Sequence, residues 1–374
     1  MSTGNQHSGT RIIIAGGGTG GHIFPAIAIA NALKKADPSI EILFIGAKGK
    51  MEMEKVPQAG YRIEGIDIAG FNRSSLLKNI GLPFKLIMSF FQVRRIVNAF
   101  QPSAVVGVGG YSTFPVLKYA QAKGIPSFIH ESNSFAGKSN MMLGKKATKI
   151  FVASDGMEKF FPAAKLQITG NPVRAAIVEM HVNRHEASMS FGLDPAKQTV
   201  LVTGGSLGAK GINEAIDAEL EAFAQNGVQL IWQTGKPYAA TASARVKGFS
   251  NVWTDAFITK MENAYAAADI VISRAGAMAI AELCVVKKPV IFVPYPFAAE
   301  DHQSANAKAL VEKQAALMIK DSEAREKLVA TVIALSKNQE QQRELQQNIG
   351  KLAITDADQQ IASEIIKVIK QAAQ

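Results

Sequence analysis

Apolar residues fall along the chain in short continuous runs that alternate with longer stretches of helical periodicity. The runs predict strands at residues 11–15, 40–45, 104–108, 127–130, 149–152, 199–203, 228–232, 270–273 and 289–293. Continuous apolar runs are typical of parallel strands that are covered on both faces. Helical periodicity fills the gaps, for example at 23–35, 213–224 and 303–313. The pattern therefore predicts an α/β protein built from βαβ units.

A strand followed by a glycine loop occurs twice. Residues 11–22 read RIIIAGGGTGGH, and residues 199–209 read TVLVTGGSLGA. Each would open its own doubly wound sheet, so we expect two Rossmann-like domains facing a central cleft. A length of 374 residues also favours two domains. Their junction is placed near residues 170–174, where a proline follows a turn pair, and a last helix is predicted at 356–373.

The glycine loops favour anionic ligands but not every nucleotide. Gly16, Gly18 and Gly21 satisfy GxGxxG, yet the second strand ends at Lys48 without the acid that a nicotinamide dinucleotide needs. The second loop lacks the Gly-Lys-Ser/Thr of a Walker motif. Glycines let backbone N–H groups approach an anion at a helix N-terminus. Bound diphosphates are thus the favoured interpretation, and tight turns without a ligand are the alternative.

Two further polar clusters follow predicted strands. Residues 273–282 (SRAGAMAIAE) place Glu282 on a helix, where it could accept hydrogen bonds from sugar hydroxyls or simply be solvated. The long loop at 294–303 follows the next strand, and such loops bind ligands in doubly wound folds. In the first half, HESN at 130–133 is either a functional cluster or a capped loop.

The charge is distributed unevenly. Residues 1–171 hold 20 basic and 9 acidic side chains, whereas residues 172–374 hold 21 and 22. Within 73–149, Glu131 is the single acid among 11 basic residues. An anionic partner is therefore expected for the first half only, and both nucleic acid and a membrane surface remain open.

Composition limits the class of protein. The lone cysteine, Cys284, argues against disulfides and cysteine-ligated metals. Residues 1–10 lack an apolar signal-peptide core, and no apolar stretch is long enough to span a membrane. A soluble cytoplasmic protein is expected.

Taken together, the motifs resemble those of the MurG family of bacterial N-acetylglucosaminyltransferases over nearly the whole chain. The matching stretches are GGGTGGH at 16–22, GGY at 109–111, HESN at 130–133, GNPVR at 170–174, GGSLG at 204–208, RAGAMAIAE at 274–282, and DHQ at 301–303 with Asn306. Ser132 stands where the family often has Gln, which is the one visible departure from the family pattern.

The resemblance implies a GT-B fold and an inverting transfer. GlcNAc would pass from UDP-GlcNAc to the C4 hydroxyl of undecaprenyl-pyrophosphoryl-MurNAc-pentapeptide, converting lipid I into lipid II. It implies an acceptor and membrane domain at 1–171, a UDP-GlcNAc domain at 172–354, and a C-terminal helix at 355–374 that packs back on the first domain. The enzyme would be peripheral, on the cytoplasmic face of the bacterial inner membrane.

The resemblance also assigns ligand contacts residue by residue. Those to the donor are Thr19, Gly20, Gly21, Asn133, Arg174, Ser206, Ile258, Ala277, Met278, Ala279, Ile280, Ala281, Glu282 and Gln303. Those to the acceptor diphosphate are Gly17, Gly18, Gly109, Gly110 and Tyr111.

Inverting displacement needs a base on the acceptor hydroxyl and donors for the departing UDP. His22 is the candidate base, since histidine ordinarily titrates at about pH 6.5; the alternative is that it only hydrogen-bonds a substrate. Glu131 is the rival base or a supporting partner.

The other roles follow from the same assignment. Arg174, Ser206 and the second glycine loop would meet the leaving group. Ile258 would read the uracil, Glu282 would hold the ribose, and Gln303 would contact GlcNAc.

No cofactor or catalytic metal is expected. The Asp356 and Asp358 pair is interpreted as the capped start of a helix. His181 and His185 lack the flanking glutamate of a zinc helix.

An anionic membrane surface is the expected partner of the basic half, and no nucleic acid is. Membrane contact is assigned to Leu76, Leu77, Lys78, Ile80, Leu82 and Lys85, and most of residues 83–100 is interpreted as a core helix. Lys138, Lys145 and Lys146 flank a second apolar stretch.

Two other classes remain as alternatives. One is another GT-B enzyme, such as a UDP-GlcNAc 2-epimerase or a glycolipid synthase. The other is a basic nucleic-acid-binding protein, although the basic stretch lacks the aromatic and glycine interleaving of RNA-binding motifs.

Overall fold

A computed structural model describes residues 9–70, 82–205, 207–298 and 301–372. The chain divides into unit 1, Met1–Val173 with Asp356–Gln374, and unit 2, Arg174–Thr355. Each unit contains one parallel sheet with helices packed on it. Four of the sequence calls, Leu76, Leu77, Lys78 and Ile80, lie outside the described residues, as does Ser206.

Unit 1 alternates strands and helices. In chain order its elements are β1 Arg11–Ala15, α1 Gly20–Ala36, β2 Glu41–Ala47, α2 Glu52–Gln58, β3 Arg62–Ile66, α3 Leu82–Phe100, β4 Ala104–Gly107, α4 Thr113–Ala122, β5 Ser127–Glu131, α5 Lys138–Gly144, β6 Lys149–Val152 and β7 Leu166–Ile168. The seven strands are parallel in the order β3-β2-β1-β4-β5-β6-β7.

Unit 2 repeats the design. Its elements are α6 Ala175–Val178, α7 Arg184–Ser190, β8 Thr199–Thr203, α8 Lys210–Ala218, α9 Leu220–Gln225, β9 Gln229–Gln233, α10 Lys236–Arg245, β10 Val252–Asp255, α11 Met261–Ala267, β11 Ile270–Ser273, α12 Ala277–Val286, β12 Val290–Phe292, α13 His302–Val311, β13 Leu317–Met318, α14 Ala324–Lys337 and α15 Gln339–Gly350. Its parallel sheet has the order β10-β9-β8-β11-β12-β13.

The last helix, α16 (Ala357–Ala372), belongs to unit 1 and packs against α1. Ile361 and Ile365 are fully buried in the core on that side of the sheet. Glu364 adds an ion pair with Lys149, whose Nζ lies 2.9 Å from the carboxylate. Unit 1 is therefore built from both ends of the chain.

The nine predicted strands are confirmed, with bounds shifted by one or two residues at most. The predicted helix at 213–224 is wrong as a single helix, because it breaks at Glu219, whose backbone leaves the helical region. The break accompanies burial of Leu220 and Phe223 in the same core as Ile216.

The interpretation of residues 83–100 as a core helix is wrong for its first half. Val93, Ile96 and Val97 are buried, but Phe84, Ile87 and Phe91 are 69%, 56% and 61% exposed. Because apolar residues occur on every side of this helix, the sequence does not show which of its turns pack against another element. Among the described residues, no helix combines the length and apolarity needed to cross a bilayer.

Candidate functional site

Both sheets reverse their strand order at one point. In unit 1 the reversal lies between β1 and β4, and in unit 2 between β8 and β11. Doubly wound sheets bind ligands at the carboxyl ends of the strands that flank such a reversal, because the loops there diverge. The first glycine loop (residues 16–19) and the 109–111 loop follow β1 and β4. The second glycine loop (residues 204–208) and residues 274–276 follow β8 and β11.

The first glycine loop is bound to its neighbours through its own N–H groups. Gly17 donates to the Gly109 carbonyl at 3.2 Å, and Gly18 donates to Glu52 Oε2 at 2.8 Å. A Cβ on Gly110 would lie 2.2 Å from the Gly17 carbonyl oxygen, so this contact requires glycine. The N–H groups of Gly17 and Gly18 thus have partners within the protein, and the assignment of these two residues to the acceptor diphosphate stays a prediction. Gly20 and Gly21 occupy the first turn of α1, where N–H groups have no partner within the helix.

His22, in that first turn, faces the two glycine stretches. Its Nδ1 lies 3.1 Å from the Gly17 carbonyl oxygen. Since a carbonyl only accepts, Nδ1 carries the proton and the lone pair of the neutral ring is on Nε2. A Cβ on Gly109 would lie 2.7 Å from Nε2, so the imidazole occupies space that any other residue would fill. The hydrogen bond at Nδ1 and the contact with Gly109 thus fix the tautomer and the orientation of the ring.

Tyr111 lies beside the same loops. Its side chain is 46% exposed, and a Cβ on Gly70 would lie 2.0 Å from its ring. The ring therefore covers the Gly70 backbone and keeps one side open to a ligand.

Glu131, the last residue of β5, is buried and uses both carboxylate oxygens. Oε1 accepts from the Asn133 backbone and side chain at 3.1 and 3.3 Å. Oε2 accepts from Gly137 N at 3.0 Å and Asn140 Nδ2 at 2.9 Å. Four N–H donors stabilise a carboxylate and hold the 132–137 loop around it. This geometry favours a supporting role for Glu131 over that of a base, and it orients Asn133.

His130 is fully buried. Its Nε2 lies 3.4 Å from the Gly170 carbonyl, and its Nδ1 lies 3.4 Å from Ser132 Oγ. Burial lowers the pKa of His130 to about 4, so the ring is neutral at physiological pH. A neutral His130 connects the HESN stretch to the end of unit 1 without adding charge.

The second glycine loop is held by β9. Thr203 Oγ1 donates to Gln233 Oε1 at 2.9 Å, and Gln233 Nε2 donates to the Gly205 carbonyl at 3.0 Å. A Cβ on Gly208 would lie 2.0 Å from the Thr234 carbonyl oxygen, so the two chain segments touch backbone to backbone. Gln233 and Thr234 were missed by the sequence analysis. Their one signal is that they end an apolar strand.

Glu282 is not a solvated helix carboxylate but a buried one with two partners. Arg174 Nε donates to Oε1 at 2.8 Å, and the Tyr265 hydroxyl donates to Oε2 at 3.0 Å. Burial, and then the charge of Glu282, raise the pKa of Tyr265 well above its usual value, which keeps the hydroxyl a donor. Two assigned residues, Arg174 and Glu282, are thus brought together, and Tyr265 is a partner that the sequence did not indicate.

Arg274 holds the loop after β12. Its Nη1 donates to the Val293 and Pro294 carbonyls at 3.0 Å each and to Asp321 Oδ1 at 2.6 Å. Gln303, at the start of α13, accepts on Oε1 from the backbone N–H of Tyr295 in that loop at 2.9 Å.

The remaining assigned residues of unit 2 lie on neighbouring segments. Ala277 to Ala281 are half-exposed on the first turns of α12, and Ile258 is buried after β10. Within the described ranges, no three His, Cys, Asp or Glu side chains are grouped so as to share a metal ion.

Comparison with known proteins identifies both halves of the chain. Residues 12–152 match the glycosyltransferase family 28 N-terminal domain, and residues 199–361 match the family 28 C-terminal domain. A relative from Phocaeicola vulgatus, named UDP-N-acetylglucosamine--N-acetylmuramyl-(pentapeptide) pyrophosphoryl-undecaprenol N-acetylglucosamine transferase, is 52% identical over 96% of both chains. A relative of the same name from Parabacteroides distasonis is 51% identical over 96% of this chain and 98% of its own.

The structural comparison agrees with the sequence relatives. The crystal structure of Acinetobacter baumannii MurG is 27% identical, covers 96% of this chain and 99% of its own, and superposes with a TM-score of 0.76. The GT-B fold predicted from the sequence, two Rossmann-like doubly wound domains, is confirmed.

The buried His130 predicts a pH-dependent stability. Its folded-state pKa of about 4 lies below the ordinary 6.5, so the unfolded state binds the proton more tightly between those values and stability falls as pH falls. Lowering the pH from 7.5 to 5 should cost about 2 kcal/mol of unfolding free energy through this residue. Denaturant unfolding of wild type and H130Q at both pH values measures it. H181Q, at an exposed position, is the control. Equal pH dependence of wild type and H130Q would contradict the assignment.

Proposed function

The chain belongs to glycosyltransferase family 28 and to the MurG family within it, and on that premise we propose that it transfers GlcNAc from UDP-GlcNAc to undecaprenyl-pyrophosphoryl-MurNAc-pentapeptide, converting lipid I into lipid II. The observation that carries this proposal is 52% identity over 96% of both chains to a transferase of that name. It favours the transferase over an epimerase or a nucleic-acid-binding protein, since those alternatives rest on fold or charge alone. The C4 hydroxyl attacks C1 of GlcNAc, and UDP departs from the opposite face.

Unit 2 supplies the donor site. The carboxylate oxygens of Glu282 each have more than one acceptor position, so they bind the ribose hydroxyls while Arg174 and Tyr265 hold the group in place. The small residues on the first turn of α12 allow the nucleotide to approach a helix N-terminus. Arg174, with five N–H donors, also meets the charge that develops on the leaving diphosphate. The backbone at Ile258 reads the uracil, and Gln303 contacts GlcNAc.

Unit 1 supplies the acceptor site and the base. His22 accepts the C4 hydroxyl proton on Nε2 while Gly17 stabilises the opposite nitrogen. Tyr111 and the 109–111 loop bind the acceptor diphosphate, while Gly20 and Gly21 at the start of α1 and Asn133 on the Glu131-supported loop contact the donor sugar. The step balances: a bond forms between the C4 hydroxyl oxygen of the acceptor and C1 of GlcNAc, the bond from C1 to the UDP oxygen breaks, the hydroxyl proton passes to His22, and UDP carries away the negative charge.

The exposed apolar face of α3 is the proposed membrane contact. Phe84, Ile87 and Phe91 recur at helical spacing and leave a contiguous apolar surface in water. Lys85, Arg94 and Arg95 are exposed on the same helix and suit an anionic lipid surface. This surface replaces the assignment of the helix to the core, and it would keep the enzyme at the cytoplasmic face of the inner membrane.

A transfer assay tests the activity. Purified protein with UDP-GlcNAc and a short-chain lipid I analogue should yield the disaccharide product, and replacement of the donor by UDP-glucose should abolish it. The rate should be undiminished in EDTA, because no step above uses a metal. Release of free ManNAc without acceptor would instead identify an epimerase, and EDTA inhibition reversed by magnesium would refute the metal-free mechanism.

Substitution of His22 tests the base. H22Q should lower kcat by about 1,000-fold, since it removes general base catalysis. The affinity for UDP, measured by calorimetry, should change by less than about twofold, because the proposed contacts with the nucleotide, Arg174, Ile258 and Glu282, lie in unit 2. H185Q, at an exposed position, is the matched control. Activity of H22Q within about threefold of wild type would reduce His22 to a substrate contact.

The membrane assignment separates lipid binding from chemistry. The triple variant F84S/I87S/F91S should bind phosphatidylglycerol vesicles about 100-fold more weakly, because it removes the apolar side chains that enter the interface. Its kcat on a water-soluble acceptor should match wild type. M189S/V311S, which changes exposed apolar residues of unit 2, is the control. Loss of folding or of soluble-acceptor activity in the triple variant would return these residues to a structural role.

A further inference from the structure

We propose that Glu52 is a positioning residue for the catalytic base, acting through a single peptide group of the first glycine loop. This inference rests on the proposed role of His22. Glu52 is the first residue of α2 and only 1% exposed. The sequence motifs do not select it, since it lies between Met51 and Met53, outside every motif.

The Glu52 carboxylate joins two strand ends. Its Oε2 accepts from Gly18 N at 2.8 Å, and its Oε1 accepts from Ala47 N at 3.0 Å. Ala47 ends β2, and Gly18 follows β1, so the side chain fixes the glycine loop to the neighbouring strand. Burying a carboxylate is costly unless such donors satisfy it. A buried acid that only filled space would be replaced at lower cost by an apolar residue.

Two glycines, Gly17 and Gly46, leave the space that the Glu52 side chain occupies. A Cβ on Gly17 would lie 2.2 Å from Glu52 Cδ, and a Cβ on Gly46 would lie 2.5 Å from Glu52 Cγ. Two strand ends thus lack side chains where the Glu52 side chain passes. The close packing fixes the carboxylate as firmly as its hydrogen bonds do.

The hydrogen bond from Gly18 N–H to Glu52 matters because the same peptide group carries the Gly17 carbonyl, which contacts His22. The N–H of Gly18 and the carbonyl of Gly17 belong to one planar unit, and in a trans peptide they point in opposite directions. On one side the N–H is held by Glu52, and on the other the carbonyl accepts from His22 Nδ1 at 3.1 Å. Glycines on both sides would otherwise let this peptide rotate at little cost. Glu52 therefore sets the direction of the carbonyl, and the carbonyl sets the orientation of the imidazole.

In many active sites a carboxylate accepts a hydrogen bond directly from a catalytic histidine and so orients it. Here the Gly17–Gly18 peptide group lies between the Glu52 carboxylate and His22. The carboxylate also polarises that peptide, which strengthens its carbonyl as an acceptor. The effect on the reaction should be a loss of alignment at Nε2 and not a loss of UDP binding, because the proposed UDP contacts, Arg174, Ile258 and Glu282, lie in unit 2.

The variant E52Q tests this. Glutamine keeps the size but can accept from only one of the two N–H groups, and its NH₂ opposes the other. We expect kcat to fall by about 100-fold, as for a base displaced by roughly 1 Å. KM for UDP-GlcNAc and the affinity for UDP should stay within about twofold of wild type. E54Q, an exposed carboxylate two residues along the same helix, should behave as wild type.

A double-mutant cycle with H22Q separates positioning from stability. If Glu52 acts through His22, H22Q/E52Q should be no slower than H22Q alone. A further loss in the double variant as large as that of E52Q alone would overturn the proposal, and so would E52Q with kcat within about threefold of wild type. If H22Q itself remains active, the base assignment fails and this inference fails with it. If H22Q is inactive and E52Q is not, only the role of Glu52 is refuted.

Thermal unfolding of each variant shows whether it is folded at the assay temperature. Should E52Q fail to fold, E52D carries the test, because the shorter carboxylate keeps the charge but cannot span both N–H groups. An E52D enzyme that is folded and fully active would equally refute the proposal.

Discussion

The direction of parallel strands is the constraint on which the chemistry of this protein depends. Every strand of a sheet delivers its carboxyl end to the same edge, and only the reversal of strand order separates the loops there. Between β1 and β4 the separated loops carry glycines, because backbone must approach backbone and an imidazole closely. Between β8 and β11 the same constraint gathers a glycine loop and a small-residue helix start. The two sites are built from different residues, but both lie where the strand order of a parallel sheet reverses.

The elements predicted from the sequence are those with buried faces on both sides. All nine strands that the apolar runs indicated are present, and the four that were missed, β3, β7, β10 and β13, are the edges of the two sheets. An edge strand packs less of its surface; β3, for example, alternates exposed and partly buried residues until its last position. Its sequence then carries too few apolar residues to stand out from a loop.

The site was foreseen unevenly for a related reason. The glycine loops, Arg174 and Glu282 were each named, because spacing after a strand or resemblance to a family points to them, but the ion pair between Arg174 and Glu282 was not predicted. Glu52, Tyr265 and Gln233 were not, since a polar residue looks solvated in a sequence unless something reveals the N–H or hydroxyl that it will meet. The opposite error occurred on α3, where the apolar sequence predicted that Phe84 and Phe91 are buried, but both are exposed. The sequence alone does not show which residues, distant along the chain, will contact each other in the folded protein.

Because α16 completes unit 1, this unit is discontinuous along the chain. During synthesis, the surface of α1 that receives Ile361 and Ile365 must wait until all of unit 2 has been translated. The contact between α1 and α16 closes a long loop. This costs little extra free energy at equilibrium, because the entropic cost of closure grows only with the logarithm of loop length, but the contact forms late in folding. A nascent chain would therefore show unit 2 able to fold as one continuous segment while the first-made part of the molecule still exposes an apolar groove, an opportunity for chaperone binding that ends only with translation.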